Sequence, residues 1–365
     1  MKNVHLIAAA RPNFMKIAPL YHALVRETWC RTSIVHTGQH YDFNMSDAFF
    51  RDLRLPDPHF HLEVGSGTHA EQTGNVMIQY ERVALVEKPD WIVVVGDVNS
   101  TAACAMVGAK LCIPVVHLEA GLRSRDRRMP EEINRLVTDS IADVLWTPSP
   151  DADENLMAEG VDSSRIDFIG NIMIDSYEMM RNAIVADSTF ASLGLEDRGF
   201  GVVTLHRPSN VDTADALGNL VNVLIELSSA LPLVFAVHPR TRKRLRDFAL
   251  ESSLLATPRI KVIDPLGYVQ FMNLVSHSAA VVTDSGGVQE ETTYLGIPCF
   301  TLRENTERPI TATIGSNQLM KPGLLVGAVH AALGRSGRTG ARPERWDGQA
   351  ASRAVQCLRR RSGLA

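Results

Sequence analysis

The chain has 365 residues, of which 45% are hydrophobic and 21% are charged, and its formal net charge is −4. This composition is typical of a soluble globular protein long enough for two domains, and the net charge gives no reason to expect nucleic acid or an anionic membrane as a partner. The sequence has no run of about 18 apolar residues, so we expect no membrane-spanning helix. The N-terminus lacks a signal-peptide pattern, and five widely spaced cysteines are typical of reduced thiols, so we expect a cytoplasmic protein.

Short apolar runs alternate with amphipathic segments in the first half of the chain. The apolar runs predict buried parallel strands at Val4–Ala9, Thr32–His36, Trp91–Val95, Pro114–Leu118 and Val144–Thr147. Helical periodicity occupies the segments Phe14–Glu27, Glu71–Glu87, Thr101–Leu111 and Glu131–Ala142.

The same alternation restarts after a predicted helix at Asp175–Val185. Further strands are predicted at Phe200–Thr204, Leu233–Val237, Ile260–Ile263, Ala279–Thr283 and Pro298–Thr301. The predicted helices of this half are Ala214–Ala230, Arg240–Leu250, Val269–Ser276 and Val288–Leu295. The stretch Gly334–Asp347 reads as a loop, Gln349–Leu358 as a final helix and Arg359–Arg361 as a frayed, solvated tail.

Two tandem series of strands and helices predict an α/β fold with two doubly wound, Rossmann-like domains and an interdomain cleft. The boundary is expected near residues 170–175. Ligands bind beyond the carboxyl ends of the strands in such sheets, so polar residues at those positions are candidates for chemistry.

The first predicted strand is followed by two cations, Arg11 and Lys16, that flank the start of a helix. Pro12 suits the first helical position, and the free N–H groups of a helix N-terminus attract anions. Two solvated cations are the alternative, but the arrangement favours recognition of a phosphate or carboxylate.

Two carboxylates follow neighbouring strands of the first half. Asp97 alone would be interpreted as a turn residue, but Glu119 at the end of the next strand makes a pair of carboxylates facing the cleft plausible. The stretch from Glu119 to Arg135 adds Glu131 and is either a solvated charged loop or part of an active site. Its intervening arginines, Arg123 among them, are interpreted as loop or interface charges.

In the second half, His206 and His238 occupy equivalent strand ends, each close to an arginine. A single histidine of this kind is usually structural, whereas two beside arginines indicate an anionic ligand. No spacing of histidines or cysteines supports a metal site.

A Ser-Gly-Gly turn, Ser285–Gly287, opens a predicted helix and is the strongest local signal, because it presents bare N–H groups to a phosphate. Glu291 lies about one helical turn further on and could reach a ribose hydroxyl. By contrast, Gly65–Ala70 matches the loose dinucleotide pattern G-x-G-x-x-A but follows no apolar strand, so we expect no NAD and no other cofactor.

Together and in this order, the motifs resemble the non-hydrolysing UDP-N-acetylglucosamine 2-epimerase family, whose members have a glycosyltransferase-B-like fold. The matching segments are Arg11–Lys16, Thr37–His40, Gly96–Thr101, Glu119–Arg123, Pro130–Arg135, Gly170–Asn171, His206–Arg207, His238–Pro239, Asp284–Glu291 and Glu307–Pro309. The resemblance implies domains of residues 1–172 with 350–365 and of residues 173–349. It places the nucleotide on the second domain and the sugar in the cleft. We also expect a UDP-sugar substrate and a homodimer.

The resemblance also implies a role for each candidate residue. The diphosphate contacts are Arg11, His206, Ser285, Gly286 and Gly287. The ribose is assigned to Glu291 and the uracil pocket to the segment around Phe271. Positions matching those around the reacting sugar are Lys16, Asp97, Glu119, Glu131, Arg135 and His206. His238 and Arg308 complete the expected substrate-binding set.

The implied chemistry is inversion at C2 of a UDP-linked 2-acetamido sugar. The C2 proton is not adjacent to a carbonyl, so UDP must leave C1 as a base removes that proton, giving 2-acetamidoglucal. UDP then adds again, with protonation from the opposite face of C2. Elimination requires cations and N–H groups at the leaving diphosphate and a carboxylate base at C2. Asp97, Glu119 and Glu131 are the candidates, without an assignment of each to one face.

Substrate-regulated epimerases resemble one another in a segment with glutamine and arginine after the Gln-His pair. Residues 39–44 and 65–72 contain no arginine here, so we predict weak or absent allosteric activation, and the precise sugar stays open. The rival functions are a hydrolysing 2-epimerase that releases free N-acetylmannosamine and UDP, a glycosyltransferase of the same fold, and a non-catalytic nucleotide-sugar binding protein.

Overall fold

The computed structural model of the protein describes residues 1–38, 53–334 and 340–364. The chain divides into two compact units, the first comprising Met1–Met179 with Glu344–Ala365 and the second comprising Met180–Pro343. No helix in these described ranges is long and apolar enough to cross a membrane.

The first unit contains a parallel sheet of seven strands. They are β1 (Lys2–Ala8), β2 (Cys30–His36), β3 (Phe60–His61), β4 (Trp91–Val95), β5 (Val115–Leu118), β6 (Val144–Thr147) and β7 (Ile166–Phe168). Their spatial order is β3-β2-β1-β4-β5-β6-β7. The helices that connect them are α1 (Arg11–Leu24), α2 (His69–Glu87), α3 (Asn99–Lys110), α4 (Pro130–Ile141) and α5 (Pro150–Ala158). A 3-10 turn at Ser163–Arg165 precedes β7, and α6 (Ile172–Ala186) follows it.

The second unit contains a parallel sheet of six strands. They are β8 (Gly201–Thr204), β9 (Leu233–Ala236), β10 (Ile260–Ile263), β11 (Ala280–Thr283), β12 (Cys299–Thr301) and β13 (Asn317–Leu319). Their order is β10-β9-β8-β11-β12-β13. The longer helices are α9 (Ala214–Ser228), α10 (Pro239–Asp247), α12 (Tyr268–His277), α13 (Gly286–Leu295) and α15 (Leu325–Leu333). Short helices are α7 (Thr189–Ser192), α8 (Pro208–Val211), α11 (Glu251–Leu255) and α14 (Ile310–Thr313), and a 3-10 turn at Pro322–Leu324 leads into α15.

The inner strands are mostly buried because helices cover both faces of each sheet. All five residues of β4 and all four of β11 are buried. Parallel sheets covered on both faces carry uninterrupted apolar runs, and this is the feature that made the strands visible in the sequence. All ten predicted strands and all ten predicted helices are confirmed, with ends that differ by a few residues. Three edge strands of two or three residues, and the helices shorter than ten residues other than α10, were not predicted from the sequence.

The last helix, α16 (Ala350–Arg361), belongs to the first unit. The carboxylate of Asp175 in α6 accepts hydrogen bonds from the first two N–H groups of α16, at 3.1 and 2.8 Å. The expectation of a frayed arginine tail is wrong, because Arg360 and Arg361 are helical and both form ion pairs with Asp167, at 2.8 and 2.7 Å. A nearby acid therefore holds the last turn in place.

The division between the units differs from the boundaries at 172/173 and 349/350 that the sequence suggested. It falls at Met179 inside α6, which is one continuous helix, and at Pro343 ahead of Trp346. The buried indole of Trp346 donates a hydrogen bond of 3.0 Å to the carbonyl oxygen of Pro148 and so attaches this segment to the first unit.

Candidate active site

The order of strands in the first sheet reverses between β1 and β4, which are hydrogen-bonded neighbours. The first residues of α1 and α3 follow these two strands, so their N-terminal N–H groups lie at this edge. Asn13 stabilises it, because its side-chain oxygen accepts from the N–H groups of Ala9 and Ala10, at 3.3 and 3.0 Å, and its amide donates to Val95, at 3.2 Å. This switch point is where open α/β sheets bind ligands.

A buried ion pair joins Lys16 of α1 to Glu119 at the end of β5. Lys16 is 8% exposed and Glu119 is 3% exposed. Glu119 has a φ of 72°, a left-handed conformation that is uncommon for a residue with a side chain and often marks functional sites. An ideal β-carbon built on Gly96 would lie 3.4 Å from both charged atoms, so the turn that carries Asp97 lies against the pair.

Asp97 is ion-paired with Arg135 of α4, as is the buried carboxylate of Glu132. The Asp97 side chain is 33% exposed, whereas those of Arg135 and Glu132 are 2% exposed. Burial would raise the pKa of Glu132, but hydrogen bonds from Arg135 and from the N–H of Ser124 hold it below its usual value. The guanidinium of Arg135 thus orients the partly exposed carboxylate of Asp97 through Nη1, while its Nη2 is bound to the buried carboxylate of Glu132.

Glu131 is exposed on α4, although it is adjacent to the buried Glu132. Both acids lie within one turn of Arg135, three and four residues before it, and in the structure it is Glu132 that pairs with the guanidinium. Glu131 was the residue predicted from the sequence for proton transfer, and Glu132 was given no role. The role predicted for Glu131 therefore falls on a carboxylate that is exposed to solvent and accessible to a ligand.

Arg123 lies in the loop after β5, as expected, but its charge is buried. It is 5% exposed and forms ion pairs of 2.7 Å with both Asp139 of α4 and Glu159. Two acids that lie 16 and 36 residues away along the chain offset its charge, and neither was singled out from the sequence.

In the second unit the strand order reverses between β8 and β11, and His206 and Asp284 follow these two strands. Fully buried Asp284 accepts hydrogen bonds from the backbone N–H groups of His206 and Arg207, at 3.0 and 2.9 Å, and pairs with the His206 ring at 2.9 Å. Burial would raise the pKa of Asp284, but the bond and charge of His206 keep it low. The His206 side chain stays 39% exposed, so Asp284 fixes the ring while leaving it accessible.

The second histidine at this edge, His238, is exposed and caps α10. Its Nδ1 accepts from the N–H of Arg240 at 3.2 Å, and its ring centroid lies 5.5 Å from that of His206. Partial burial and the neighbouring His206 lower the pKa of His238. The two rings that the sequence suggested as an anion-binding pair are therefore adjacent.

The turn Ser285–Gly287 opens α13, as predicted. A β-carbon on Gly286 would lie 2.6 Å from Arg308 Nη1 and 2.8 Å from Glu307 Oε1, so only glycine fits there without a shift. Arg308 is 8% exposed and pairs with Glu307 and, at 2.9 Å, with Glu290. Acids thus hold Arg308 directly behind the turn. No atom of the described residues lies within 4 Å of a β-carbon on Gly287.

Glu291 lies in the second turn of α13 and is 4% exposed. Burial raises the pKa of its carboxyl to about 8; a hydrogen bond with Tyr268 opposes this shift and the neighbouring Glu290 adds to it. Phe271, half-buried, belongs to α12, one turn after Tyr268. Glu291, expected to contact the ribose, therefore lies on the helix that the Ser285–Gly287 turn opens. Phe271, expected at the uracil, lies on the same helix as Tyr268.

The Arg11 side chain and residues 39–44 lie outside the described part of the structure, so it does not place them. In the described ranges, no group of three or more histidine, cysteine or acidic side chains could hold a metal ion. Four buried acids, Glu132, Asp139, Glu290 and Glu307, were given no role from the sequence. Three of them lie within matching segments, and Asp139 had only its place on the inward face of a predicted helix as a signal.

Comparison with known proteins decides the family. The family model described as UDP-N-acetylglucosamine 2-epimerase matches residues 22–359. The chain belongs to this family. The resemblance seen in the sequence and the expectation of an epimerase, an isomerase by reaction class, are confirmed.

Relatives in this epimerase family match most of the chain. The UDP-N-acetylglucosamine 2-epimerase of Methanocaldococcus jannaschii is 44% identical over 323 residues, which cover 86% of this chain and 87% of the relative. The UDP-2,3-diacetamido-2,3-dideoxy-D-glucuronate 2-epimerase of Pseudomonas aeruginosa is 40% identical over 337 residues, covering 91% and 90%.

Solved structures of the family share the fold. The crystal structure of the M. jannaschii enzyme in complex with UDP-GlcNAc and UDP matches with a TM-score of 0.89 and 41% identity, covering 98% of this chain and 99% of that chain. The S. aureus MnaA-UDP co-structure matches with a TM-score of 0.89 and 28% identity, covering 100% and 98%. The expected glycosyltransferase-B-like α/β fold with two parallel sheets is confirmed.

Proposed function

We propose that this protein inverts C2 of a UDP-linked 2-acetamido sugar, interconverting UDP-N-acetylglucosamine and UDP-N-acetylmannosamine or a modified form of that pair. The observation that carries the proposal is the placement of Asp97 and the Lys16–Glu119 pair at one edge of the first sheet. This is the carboxylate set that epimerisation requires, in a chain that belongs to the 2-epimerase family.

The first unit supplies the proton transfers in this proposal. C2–H becomes acidic only as the bond from C1 to the UDP oxygen breaks, so one carboxylate removes the C2 proton while UDP leaves and 2-acetamidoglucal forms. UDP then adds back to C1, and a group on the other face of C2 returns a proton. Glu119, Asp97 and Glu131 are the acid–base set, with Lys16 and Arg135 balancing the charges of the first two.

The second unit holds the leaving group. The N–H groups at the start of α13, with Ser285, Gly286 and Gly287, bind the diphosphate, because helix N-termini stabilise anions and no described atom lies within 4 Å of a β-carbon on Gly287. His206 contacts the same diphosphate, and Asp284 fixes its ring.

The remaining contacts complete nucleotide binding. Arg11, His238 and Arg308 contribute positive or hydrogen-bonding groups, Glu291 binds the ribose, and the segment around Phe271 forms the uracil pocket. The absence of arginine from residues 39–44 and 65–72 supports weak or absent activation by substrate. Added UDP-N-acetylglucosamine should therefore not be needed for turnover in the reverse direction.

A second candidate substrate is a UDP-2,3-diacetamido uronic acid. The P. aeruginosa relative named for that substrate is 40% identical over 91% of this chain, nearly as similar as the M. jannaschii enzyme. In either case the product would serve the synthesis of surface polysaccharide in the cytoplasm.

The deciding experiment is incubation with each UDP-sugar in deuterium oxide, followed by NMR. Deuterium at C2 and a manno product still joined to UDP are expected. Free N-acetylmannosamine with UDP would instead identify a hydrolysing enzyme. An unlabelled C2 with every UDP-2-acetamido sugar would refute the proposal and favour a glycosyltransferase, which needs an acceptor.

We also infer a homodimer. The inference rests on the family resemblance, and Ile78 and Leu85, 51% and 56% exposed on one face of α2 with Glu81 and Arg82 between them, are the apolar residues we assign to the contact. Light scattering after gel filtration should give twice the chain mass, and Leu85→Glu should give monomers. A wild-type protein of monomer mass would contradict this inference.

A further inference from the structure

A fully buried histidine lies beneath the carboxylates of the first unit. His117 is the third residue of β5 and is 0% exposed. Its Nδ1 lies 2.5 Å from Oδ1 of Asp139, and its Nε2 lies 2.8 Å from the carbonyl oxygen of Gly96. Both ring nitrogens therefore face oxygen atoms.

The two partners determine how many protons the ring carries. A carbonyl oxygen only accepts, so Nε2 must donate to Gly96. Burial would raise the pKa of Asp139, but His117 and Arg123 hold it below its usual value, and the N–H of Gly121 donates to its second oxygen at 3.1 Å. Because Asp139 also accepts from the Arg123 guanidinium, at 2.7 Å, and from the Gly121 N–H, it is the acceptor opposite Nδ1, and both ring nitrogens of His117 donate.

A buried imidazolium is costly unless opposite charge surrounds it. Asp139 contacts both His117 and Arg123, and Arg123 also pairs with Glu159. The network contains two cations and two anions and so carries no net charge. Its balance explains how a charged ring can be stable in the interior.

The same network connects the three segments that carry the proposed acid–base residues. Gly96 immediately precedes Asp97, and His117 is two residues before Glu119. Asp139 lies one helical turn after Arg135 in α4. A change in this network would therefore move these segments relative to one another.

We propose that His117 and Asp139 are positioning residues, whose hydrogen bonds hold the Gly96–Asp97 turn, the end of β5 and α4 in the arrangement that proton transfer at C2 requires. This inference rests on the proposed function, and neither residue touches the substrate. It adds to that function a buried pair that sets the geometry of the carboxylates.

Asp139→Asn tests the catalytic consequence, because an amide cannot accept from His117, Arg123 and Gly121 in the way that a carboxylate does. We expect kcat for C2 inversion to fall about tenfold to a hundredfold, with KM changed less than about twofold, as is typical of groups that orient reacting residues. His117→Gln is the second variant: its amide can bond Gly96 or Asp139 but not both, and a similar loss is expected.

Asp175→Asn is the matched control. Asp175 is likewise a buried carboxylate of the first unit that accepts backbone N–H groups, but it contacts α16 instead of the network. We expect a changed unfolding temperature with kcat within about twofold of wild type. An Asp139→Asn enzyme that keeps the kcat of this control would overturn the positioning role.

The protonation of the ring is tested without substrate, by nitrogen-15 NMR of histidine-labelled wild-type protein at pH 7.5. The His117 signals, assigned by their loss in His117→Gln, should show two protonated ring nitrogens. A neutral ring would overturn the inference even if the enzyme is active. Conversely, a wild-type protein inactive on every UDP-2-acetamido sugar would refute the proposed function while the NMR result still reports on the pair.

Discussion

The Nζ atom of Lys16, in the second turn of α1, is ion-paired with Oε2 of Glu119, at the end of β5, and both residues are more than nine-tenths buried. Burial of two charges costs desolvation energy that their attraction only partly offsets, so such pairs are weak evidence for stability. Because the pair lies against Gly96, in the turn that carries Asp97, it is better explained by chemistry.

Glu119→Gln should remove the proton-transfer group but keep its shape. We expect C2 inversion to slow by at least about a hundredfold, the usual contribution of a positioned acid or base. UDP affinity should stay close to wild type, because the proposed UDP contacts other than Arg11 lie in the second unit. Deuterium incorporation at C2 and calorimetric titration with UDP measure the two effects. Retention of more than about half of kcat would exclude Glu119 from proton transfer.

Gly286→Ala should weaken both folding and UDP binding. Its methyl group would meet Arg308 Nη1 at 2.6 Å, and overpacking of this kind costs about 1–3 kcal/mol in unfolding free energy. Gly287→Ala is the matched control, since its methyl group would meet no described atom within 4 Å. Thermal unfolding should distinguish the two variants, while titration with UDP should show weaker binding in both. Equal unfolding temperatures would contradict the steric argument.

Arg135→Lys should destabilise the first unit although it preserves the charge. The guanidinium donates to Asp97 and Glu132 together, whereas an ammonium cannot reproduce this fork, and an unsatisfied buried carboxylate costs about 1–3 kcal/mol. Arg125→Lys, at an exposed arginine that bonds Asn155, should be nearly neutral. Urea unfolding compares the two, and similar midpoints would show that the fork is unimportant.

Glu291 should couple both stability and UDP binding to pH. Burial raises its pKa in the folded protein to about 8, above the ordinary value of 4.5, so the folded state binds the extra proton. Relative to Glu291→Gln, wild-type stability should therefore be greatest below pH 4.5, fall as the pH rises and level off above pH 8.

Binding should follow the opposite trend, because an ionised carboxylate accepts hydrogen bonds from both ribose hydroxyls. UDP affinity of the wild type should rise from pH 7 to pH 9, and that of Glu291→Gln should stay flat over this interval. Unfolding temperatures from pH 4 to pH 9 measure the stability of the two proteins, and calorimetric titrations from pH 7 to pH 9 measure their UDP affinity. Parallel pH profiles for the two proteins would show that Glu291 does not titrate there.

The strands and helices were predictable because each is indicated by the pattern of apolar and polar residues within one short segment of the chain. Strands such as β4 and β11, buried on both faces, must be apolar throughout, and the helices between them must be amphipathic. Edge strands such as Phe60–His61 lack enough residues for any periodicity, so their existence depends on a neighbouring strand that offers hydrogen bonds.

The sequence by itself determined which polar residues follow the carboxyl ends of the strands, and so indicated Asp97, Glu119, His206 and Ser285. Only the tertiary structure decided what each charge faces. It paired Lys16 with a carboxylate 103 residues away, buried Glu132 instead of Glu131, and enclosed His117, Asp139 and Arg123 in one network. The reason is physical: residue type sets the charge of a group, but the burial and partners that give it a use come from segments distant in the chain.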